Sequence, residues 1–247
     1  MIVSHKYGFI HIKNGKVGGT SLEIALSKFL GPKDIITTQT KPDEIDRYKR
    51  GFRTAQNFEK PLIELSIKEW PMALRSRIFS KLCSDERRVI EQKKHPSRYR
   101  GHMTAADIKS KIGDEVWNNY FKFAVERNPW DKVVSNYYWD RKNSKKDLSF
   151  RDFVLSGKAC RSDFEYYTLN GIFAIDKLLK YENLAKELED VSEHIGLPEN
   201  IYEVLKGIQA KGGYRKKRSY REFYDKELYD IIDVYFAREI KLLNYEF

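Results

Sequence analysis

A glycine-rich loop with two lysines separates the first strand-like run of this chain from its first helix-like run. The run FIHI, residues 9–12, alternates as a short strand does, and from Thr20 a helical stripe of apolar residues continues until Gly31. The loop between them reads KNGKVGG, residues 13–19. Glycines let its backbone N–H groups point inward, and the N-terminus of the following helix adds positive potential. The loop therefore predicts a site for a phosphate or sulfate group, although a tight connection without a ligand would use the same residue types.

A second junction of strand and helix places an arginine where it could contact another anion. The stretch FAVERNPWDKVVSNYYW puts Arg127 at the end of a predicted strand, and Asn128 with Pro129 is a typical helix start. Ser135 follows eight residues after Arg127, two turns into that helix. A salt bridge, an ordinary cap and a solvated serine would explain each feature alone. Two such junctions in one chain favour binding over coincidence.

The order and spacing of both stretches resemble those of the sulfotransferases that use 3′-phosphoadenosine 5′-phosphosulfate (PAPS). KVGGTS, residues 16–21, is similar to their 5′-phosphosulfate loop, commonly K-T-A-G-T-S. RNPWDKVVS, residues 127–135, is similar to their 3′-phosphate motif, R-N-P-[WY]-[DE]-[RK]-x-V-S. GHMTAADIKSKIGDEVW and YENL also look like the family, whereas residues 41–100 contribute little. Val17 and Gly18 depart from the common Thr and Ala, which are small changes in a loop lined by backbone.

The resemblance implies the roles of the site residues. Lys16 would stabilise charge that develops on the bridging oxygen as sulfate leaves. Arg127 and Ser135 would hold the 3′-phosphate, and the basic stretch AKGGYRKKRSYREFY, residues 210–224, would close over it, although most such charge runs are only solvated. The implied nucleotide contacts are Lys16, Gly18, Gly19, Thr20, Ser21, Arg127, Ser135, Arg215, Lys216 and Arg218. The family needs no metal, and its other product is 3′-phosphoadenosine 5′-phosphate (PAP).

The acceptor hydroxyl needs a general base, for which His102 is the predicted residue. Its context, GHMTA, is similar to the family and lies just before a capped helix, and histidine titrates near neutrality. A histidine that only caps or packs at the helix start remains an alternative. Glu126 and Glu23 are rival bases, although Glu23 would more simply support the dipole of the first helix.

Strand-like runs that alternate with helical ones predict an α/β fold with a mostly parallel sheet. Besides residues 9–12, the strands are YFKFAVE and AIDKLLKY, and a capped helix is predicted from Thr104 to about Trp117. Ser149 is predicted to cap a further helix, and the C-terminal run is strongly helical. We expect one domain over residues 1–247, with 41–100 on the acceptor side, and the resemblance implies the P-loop NTPase-like sulfotransferase fold.

Composition limits the partners and the compartment. The formal net charge of +10 favours acidic partners. No apolar run approaches the ~20 residues of a membrane helix, and the first residues lack the pattern of a signal peptide. Cys83 and Cys160, the two cysteines, suit a reducing compartment and cannot form a multi-cysteine metal site. A cytoplasmic protein without a membrane span is therefore predicted.

Two other classes of function compete with sulfuryl transfer. A P-loop kinase would need G-K-[ST], whereas Lys16 precedes the glycine pair and no Walker B partner for magnesium stands out. A basic nucleic-acid-binding protein would fit the charge, but no zinc-finger, RNP or basic-zipper pattern occurs. The acceptor is expected to be a sugar hydroxyl, on a glycan or glycolipid, by analogy with the family. The sequence does not indicate an oligomeric state.

Overall fold

The computed structural model describes residues 1–82, 95–144, 148–208 and 218–247 of the chain. The strands in these ranges are β1 (Ile2–Ser4), β2 (Phe9–Ile12), β3 (Ile35–Ile36), β4 (Phe121–Glu126), β5 (Thr168–Leu169), β6 (Ile172–Phe173) and β7 (Lys177–Lys180). Five of them form the central sheet in the order β3-β1-β2-β4-β7, while β5 and β6 pair with each other. The three strands expected from the sequence are confirmed as β2, β4 and β7.

The central sheet is mixed, which corrects the expectation of a mostly parallel one. β2 pairs with β4 and β4 with β7 in parallel, but β1 is antiparallel to both β2 and β3. Only four residues connect β1 to β2, whereas a parallel pair needs a crossover of about a dozen or more. The short connection therefore folds as a hairpin, in which Gly8 has a positive φ of 63°.

Helices cover the sheet and extend beyond it. The α-helices in the described ranges are α1 (Gly19–Leu26), α2 (Lys41–Lys49), α3 (Trp70–Leu82), α4 (Ala105–Ile112), α5 (Asp114–Asn119), α6 (Pro129–Asn143), α7 (Phe150–Leu155), α8 (Leu184–His194), α9 (Ile201–Lys206), α10 (Lys226–Tyr235) and α11 (Ala237–Leu243). Residues 41–82 contain α2, α3 and a 3-10 turn. No helix in the part of the chain described is long and apolar enough to cross a bilayer.

Side-chain caps start several of these helices where the sequence placed them. The Thr104 side chain accepts a hydrogen bond from the Asp107 N–H at the start of α4, and Ser149 caps α7 in the same way. The helix expected to run to about Trp117 ends earlier, because Gly113 adopts φ 86° and ψ 162° between α4 and α5. One predicted helix is therefore two.

Apolar side chains fill both faces of the sheet. Phe9 of β2 packs in one cluster with Phe123 of β4, under α1, α8 and α9. Ile10 and Ile12 point to the other face, where they meet Ala124 in the cluster that α4 and α5 cover. This follows the two-residue period of a strand. Because both faces are covered, a ligand can reach these strands only at their ends.

Candidate functional site

The two predicted anion loops lie side by side because their strands are neighbours. β2 and β4 are parallel, with Ile12 opposite Ala124, so the residues that follow each strand meet at one edge of the sheet. A pocket of about 800 Å³ opens there. The predicted site residues that line it are Lys16, Gly18, Gly19, Thr20, Ser21, His102, Arg127 and Ser135. The structure thus brings together residues that lie more than a hundred positions apart in the chain.

The first loop has the backbone shape that an anion site requires. Lys16 and Gly18 both have a left-handed backbone, with φ of 62° and 72°. Such a conformation is uncommon for a lysine and points to a constrained functional loop. Gly18 is the N-cap of α1, and as a glycine it has no side chain that could accept a hydrogen bond from the first helical turn. The N–H groups of that turn are therefore not capped by a Gly18 side chain, and they border the pocket.

Gly19 is required for a different reason, which is close packing. A Cβ atom on Gly19 would lie 3.0 Å from Cγ of Lys13, which passes beneath the loop. The Lys13 ammonium is buried there, 2.8 Å from Oε1 of Gln39 and 3.1 Å from Oε2 of Glu23. Lys13 is thus a second cation near the loop, and it is held in place by buried polar groups.

Arg127 connects the second loop to the first. Its Nε lies 2.8 Å from a carboxylate oxygen of Asp131, and its NH1 donates to the backbone oxygen of Lys16 at 3.2 Å. The guanidinium also lies 4.5 Å from the ring centre of Tyr181, in the YENL stretch. The arginine is therefore fixed at the pocket wall, where its guanidinium can also donate a hydrogen bond to an anionic oxygen.

Trp139 is a pocket residue that the sequence could not identify. It follows Ser135 by one turn of α6 and is 49% exposed, and the Lys16 ammonium lies 5.4 Å from its ring centre. An aromatic residue at helical spacing is more often part of a core, so the pattern alone indicated no ligand contact. The structure places its ring beside the predicted catalytic lysine.

His102 has the tautomer that a base needs. Its Nδ1 lies 3.0 Å from the backbone oxygen of Lys13. Because a carbonyl oxygen only accepts, Nδ1 must carry the proton, which leaves the lone pair on Nε2. The residue is exposed at the pocket, yet removal of water by neighbouring atoms and the charge of Lys13 lower its pKa from the ordinary value. The neutral imidazole is therefore the expected form at neutral pH.

The two rival carboxylates, Glu23 and Glu126, are both enclosed, which argues against either of them as the base. Glu23 is fully buried and contacts Lys13, Gln39 and the amino group of Met1. Burial would raise its pKa, but Lys13 and the terminal amine lower the pKa well below the ordinary value. Glu126 is 1% exposed, pairs with Lys132 and is not among the residues that line the pocket. Neither carboxylate is exposed to the pocket in this arrangement.

A buried ion cluster at the pocket wall was not apparent from the sequence. The Lys132 ammonium lies 2.7 Å from Glu126 and 2.8 Å from Asp163, and the Gly15 N–H donates to Asp163 at 2.8 Å. Burial alone would lower the pKa of Lys132, but the two carboxylates raise it. Burial raises the pKa of Glu126 against the attraction of the lysine. Asp163 thereby joins residues 160–166 of the pocket wall to the first loop, by a contact between residues far apart in the chain that no local pattern predicts.

We expect Lys132→Met to lower the free energy of unfolding by about 3–5 kcal/mol, because it leaves two buried carboxylates without their cation. Lys186 is the matched control, since it also lies between two carboxylates, Glu189 and Asp190, but is 70% exposed. Lys186→Met should cost less than about 1 kcal/mol. Denaturant titration of both variants measures the difference. Equal losses would show that the Lys132 cluster does not contribute as a buried ion network.

The basic stretch near the C-terminus is only partly described. Arg215 and Lys216 lie outside the described residues. Arg218 does not line the pocket: its Nε lies 2.7 Å from Glu222, and its guanidinium lies 4.9 Å from the ring centre of Phe223. In this structure Arg218 pairs locally within its own turn, and its contact with the 3′-phosphate stays a prediction.

No group of three or more His, Cys, Asp or Glu side chains that could hold a metal ion occurs within the described ranges. Cys160 lines the pocket as a free thiol, and burial raises its pKa. Cys83, the other cysteine, lies outside those ranges.

Comparison with known proteins relates this chain to an archaeal sequence. No protein-family model matches the chain. An uncharacterised protein of Archaeoglobus fulgidus is 38% identical to it over 119 residues, which span 46% of this chain and 98% of the archaeal protein. This identity over nearly the whole length of the archaeal protein shows that the chain belongs to the same family as that uncharacterised protein.

Proposed function

We propose that this chain is a PAPS-dependent sulfotransferase, which moves the sulfuryl group of PAPS to an acceptor hydroxyl and releases PAP. The observation that supports it is the single pocket shared by the two motifs. The loop at residues 16–21 and the pair Arg127 and Ser135 line the same space, joined by the hydrogen bond from Arg127 to the Lys16 backbone oxygen. A nucleotide with a phosphosulfate at one end and a 3′-phosphate at the other needs two such sites.

Each of the two sites would hold one anionic end of the nucleotide. Backbone N–H groups at the start of α1, together with Thr20 and Ser21, would receive the phosphosulfate. Arg127 and Ser135 would bind the 3′-phosphate through charge-assisted and neutral hydrogen bonds. On this proposal the α/β fold is the sulfotransferase form of the P-loop NTPase-like fold, and the two widely spaced cysteines favour the cytoplasm as its compartment.

The pocket residues also supply the chemistry of an in-line transfer. Nε2 of His102 would take the proton of the acceptor hydroxyl as its oxygen attacks sulfur. The bond between sulfur and the bridging phosphate oxygen breaks, and Lys16 stabilises the negative charge that grows on that oxygen. The acceptor we propose is a glycan or glycolipid hydroxyl, which would approach along the wall formed by residues 160–166 and Trp139.

Calorimetry with PAP and with ATP–magnesium tests the proposal directly. We expect tight binding of PAP, no binding of ATP–magnesium, and sulfuryl transfer from labelled PAPS to a member of a panel of carbohydrate, lipid-linked and phenolic acceptors. Binding of ATP–magnesium without PAP would instead indicate a kinase. Binding of DNA or RNA with a steep salt dependence, again without PAP, would indicate a nucleic-acid-binding protein.

Arg127→Ala is expected to weaken PAP binding more than tenfold, because a charge-assisted hydrogen bond to an anion contributes ~1.5–3 kcal/mol. Arg50 is a matched control: it also pairs with an aspartate one helical turn away, Asp46, and it does not line the pocket. Arg50→Ala should bind PAP as the unmodified protein does, and Ser135→Ala should show a smaller loss than Arg127→Ala. Unchanged PAP affinity in Arg127→Ala, measured by calorimetry, would remove the 3′-phosphate assignment.

A further inference from the structure

An apolar ridge lies on the surface of the segment between β3 and α4. We define it by Ile63, Ile67, Trp70, Leu74 and Ile78. Ile63 and Ile67 are 93% and 90% exposed, and the other three are between 45% and 57% exposed. Trp70, Leu74 and Ile78 recur every four residues along α3 and therefore share one face of the helix. Isolated exposed apolar side chains are ordinary, but three on one helix face that follow two almost fully exposed isoleucines are not.

Within residues 70–78, α3 turns small side chains inward instead. Ala73 is fully buried and Ser76 is 3% exposed, so the inner face of this part of α3 carries the smaller side chains. This is the reverse of the pattern of a helix that packs its large apolar residues into a protein core. Packing in the protein core therefore does not explain why the large residues of α3 point outward.

Polar contacts fix the segment in this orientation. The Lys60 ammonium lies 2.8 Å from Glu69, and NH1 of Arg98 lies 3.1 Å from Glu64. Glu69 also accepts the N–H of Ser66 at 2.9 Å at the turn before α3. Glu64 and Glu69 are thus each held by a polar partner from the same segment or from its neighbour.

Basic side chains are exposed in the described part of this segment. They are Lys68, Arg75 and Arg77, and the acidic Glu64 and Glu69 pair with Arg98 and Lys60. A helix surface with tryptophan and aliphatic residues flanked by lysine and arginine has the composition of elements that lie in the interface of an anionic bilayer. The overall formal charge of +10 adds to this attraction.

We propose that the apolar ridge docks the protein on the surface of an anionic lipid bilayer, with its apolar side chains at the level of the headgroups. None of the ridge residues lines the 800 Å³ pocket, so the proposal does not depend on the chemistry of that site. Lipids can rearrange around single protruding side chains such as Ile63 and Ile67. A protein partner would bind most strongly through side chains seated in closely packed pockets.

A second copy of the chain fits the ridge less well. A two-fold contact places the same surface patch of each copy against the other. Such a contact would bring Lys68, Arg75 and Arg77 of both copies into one interface, and like charges across an interface oppose association. Anionic headgroups complement these residues instead.

Vesicle flotation of the full chain tests the docking surface. We expect the protein to float with vesicles of phosphatidylcholine mixed with phosphatidylglycerol, less with phosphatidylcholine alone, and less at high salt. The double variant Ile63→Ser with Ile67→Ser should lower the partition coefficient about tenfold or more, because each isoleucine loses its apolar contact with the bilayer. Both positions are on the surface, and an unchanged melting temperature would show that the fold is kept.

The control removes the same kind of side chain elsewhere on the surface. Ile172 and Val234 are 73% and 75% exposed and lie outside the ridge, so Ile172→Ser with Val234→Ser should float as the unmodified protein does. Failure of the unmodified protein to float with the anionic vesicles would overturn the proposal, as would equal losses in the two double variants. A dimer detected by light scattering, dissociated by the ridge variant and indifferent to vesicles, would assign the ridge to a second copy instead.

Discussion

His102→Gln should lower the turnover of sulfuryl transfer by about 10²–10⁴-fold, the usual contribution of general-base catalysis, while PAP binds normally. Glutamine keeps much of the size and hydrogen bonding of the imidazole but cannot take a proton. The Nδ1 contact with the Lys13 backbone oxygen, 3.0 Å long, fixes the ring so that Nε2 carries the lone pair. Steady-state rates and calorimetry with PAP separate the two effects.

The pH profile gives a second readout of the same role. Protonation of His102 removes the base, so kcat/KM should fall as the pH is lowered through the pKa of this histidine. Because that pKa is lowered in the folded protein, the fall should be centred below the ordinary value of 6.5. The acid limb should disappear in His102→Gln.

His5 offers a matched control, since its Nδ1 also makes a hydrogen bond, 2.8 Å from the Tyr120 hydroxyl, but it does not line the pocket. His5→Gln should keep both turnover and the acid limb. Turnover near that of the unmodified protein in His102→Gln, from about pH 6 to pH 9, would make His102 structural. Asp163 would then be the next residue to test, because it lines the pocket whereas Glu23 and Glu126 do not.

Lys16→Ala should lower turnover by about 10²–10³-fold, the range found when one group that stabilises a developing oxyanion is removed. PAP affinity should fall much less. The charge that Lys16 meets grows only as the sulfur–oxygen bond breaks, so the lost interaction belongs mainly to the transition state. Single-turnover rates with labelled PAPS, set beside PAP binding, measure the two losses.

Lys28→Ala is the control for a general effect of charge, since Lys28 pairs with Glu199 on the surface and does not line the pocket. It should change neither quantity. Lys16→Arg should recover part of the lost rate, because it keeps the charge but places it in a larger planar group. A loss of PAP affinity in Lys16→Ala with unchanged turnover would make this lysine a ground-state anchor and nothing more.

Local sequence patterns predicted the elements that local interactions determine. The strands at residues 9–12, 121–126 and 177–180 follow apolar runs, and the caps at Thr104, Asn128 and Ser149 form as their side chains suggest. β1 was missed because three residues, two of them apolar, carry too little pattern to be read as a strand. The split at Gly113 was missed because helical periodicity continues on both sides of it.

Contacts between distant parts of the chain could not be predicted in the same way. Asp163 has no neighbouring motif, and its role depends on Lys132 and Gly15, which only the folded chain brings to it. The burial of Glu23 and Glu126 likewise depends on side chains from other elements. Most of the site residues that the sequence did identify lie at strand-to-helix junctions. There the local residue types themselves favour the backbone geometry of the loop and of the helix start.

Both predicted anion loops begin at strands that are hydrogen-bonded on each side. β2 lies between β1 and β4, and β4 lies between β2 and β7. The starting point of each loop is therefore fixed before any ligand arrives, and the left-handed backbone at Lys16 is formed during folding. Fixing one residue costs about 1–2 kcal/mol of backbone entropy at room temperature. Because folding has already ordered these residues, an incoming nucleotide would meet a preorganised surface, and its binding energy need not order the loop.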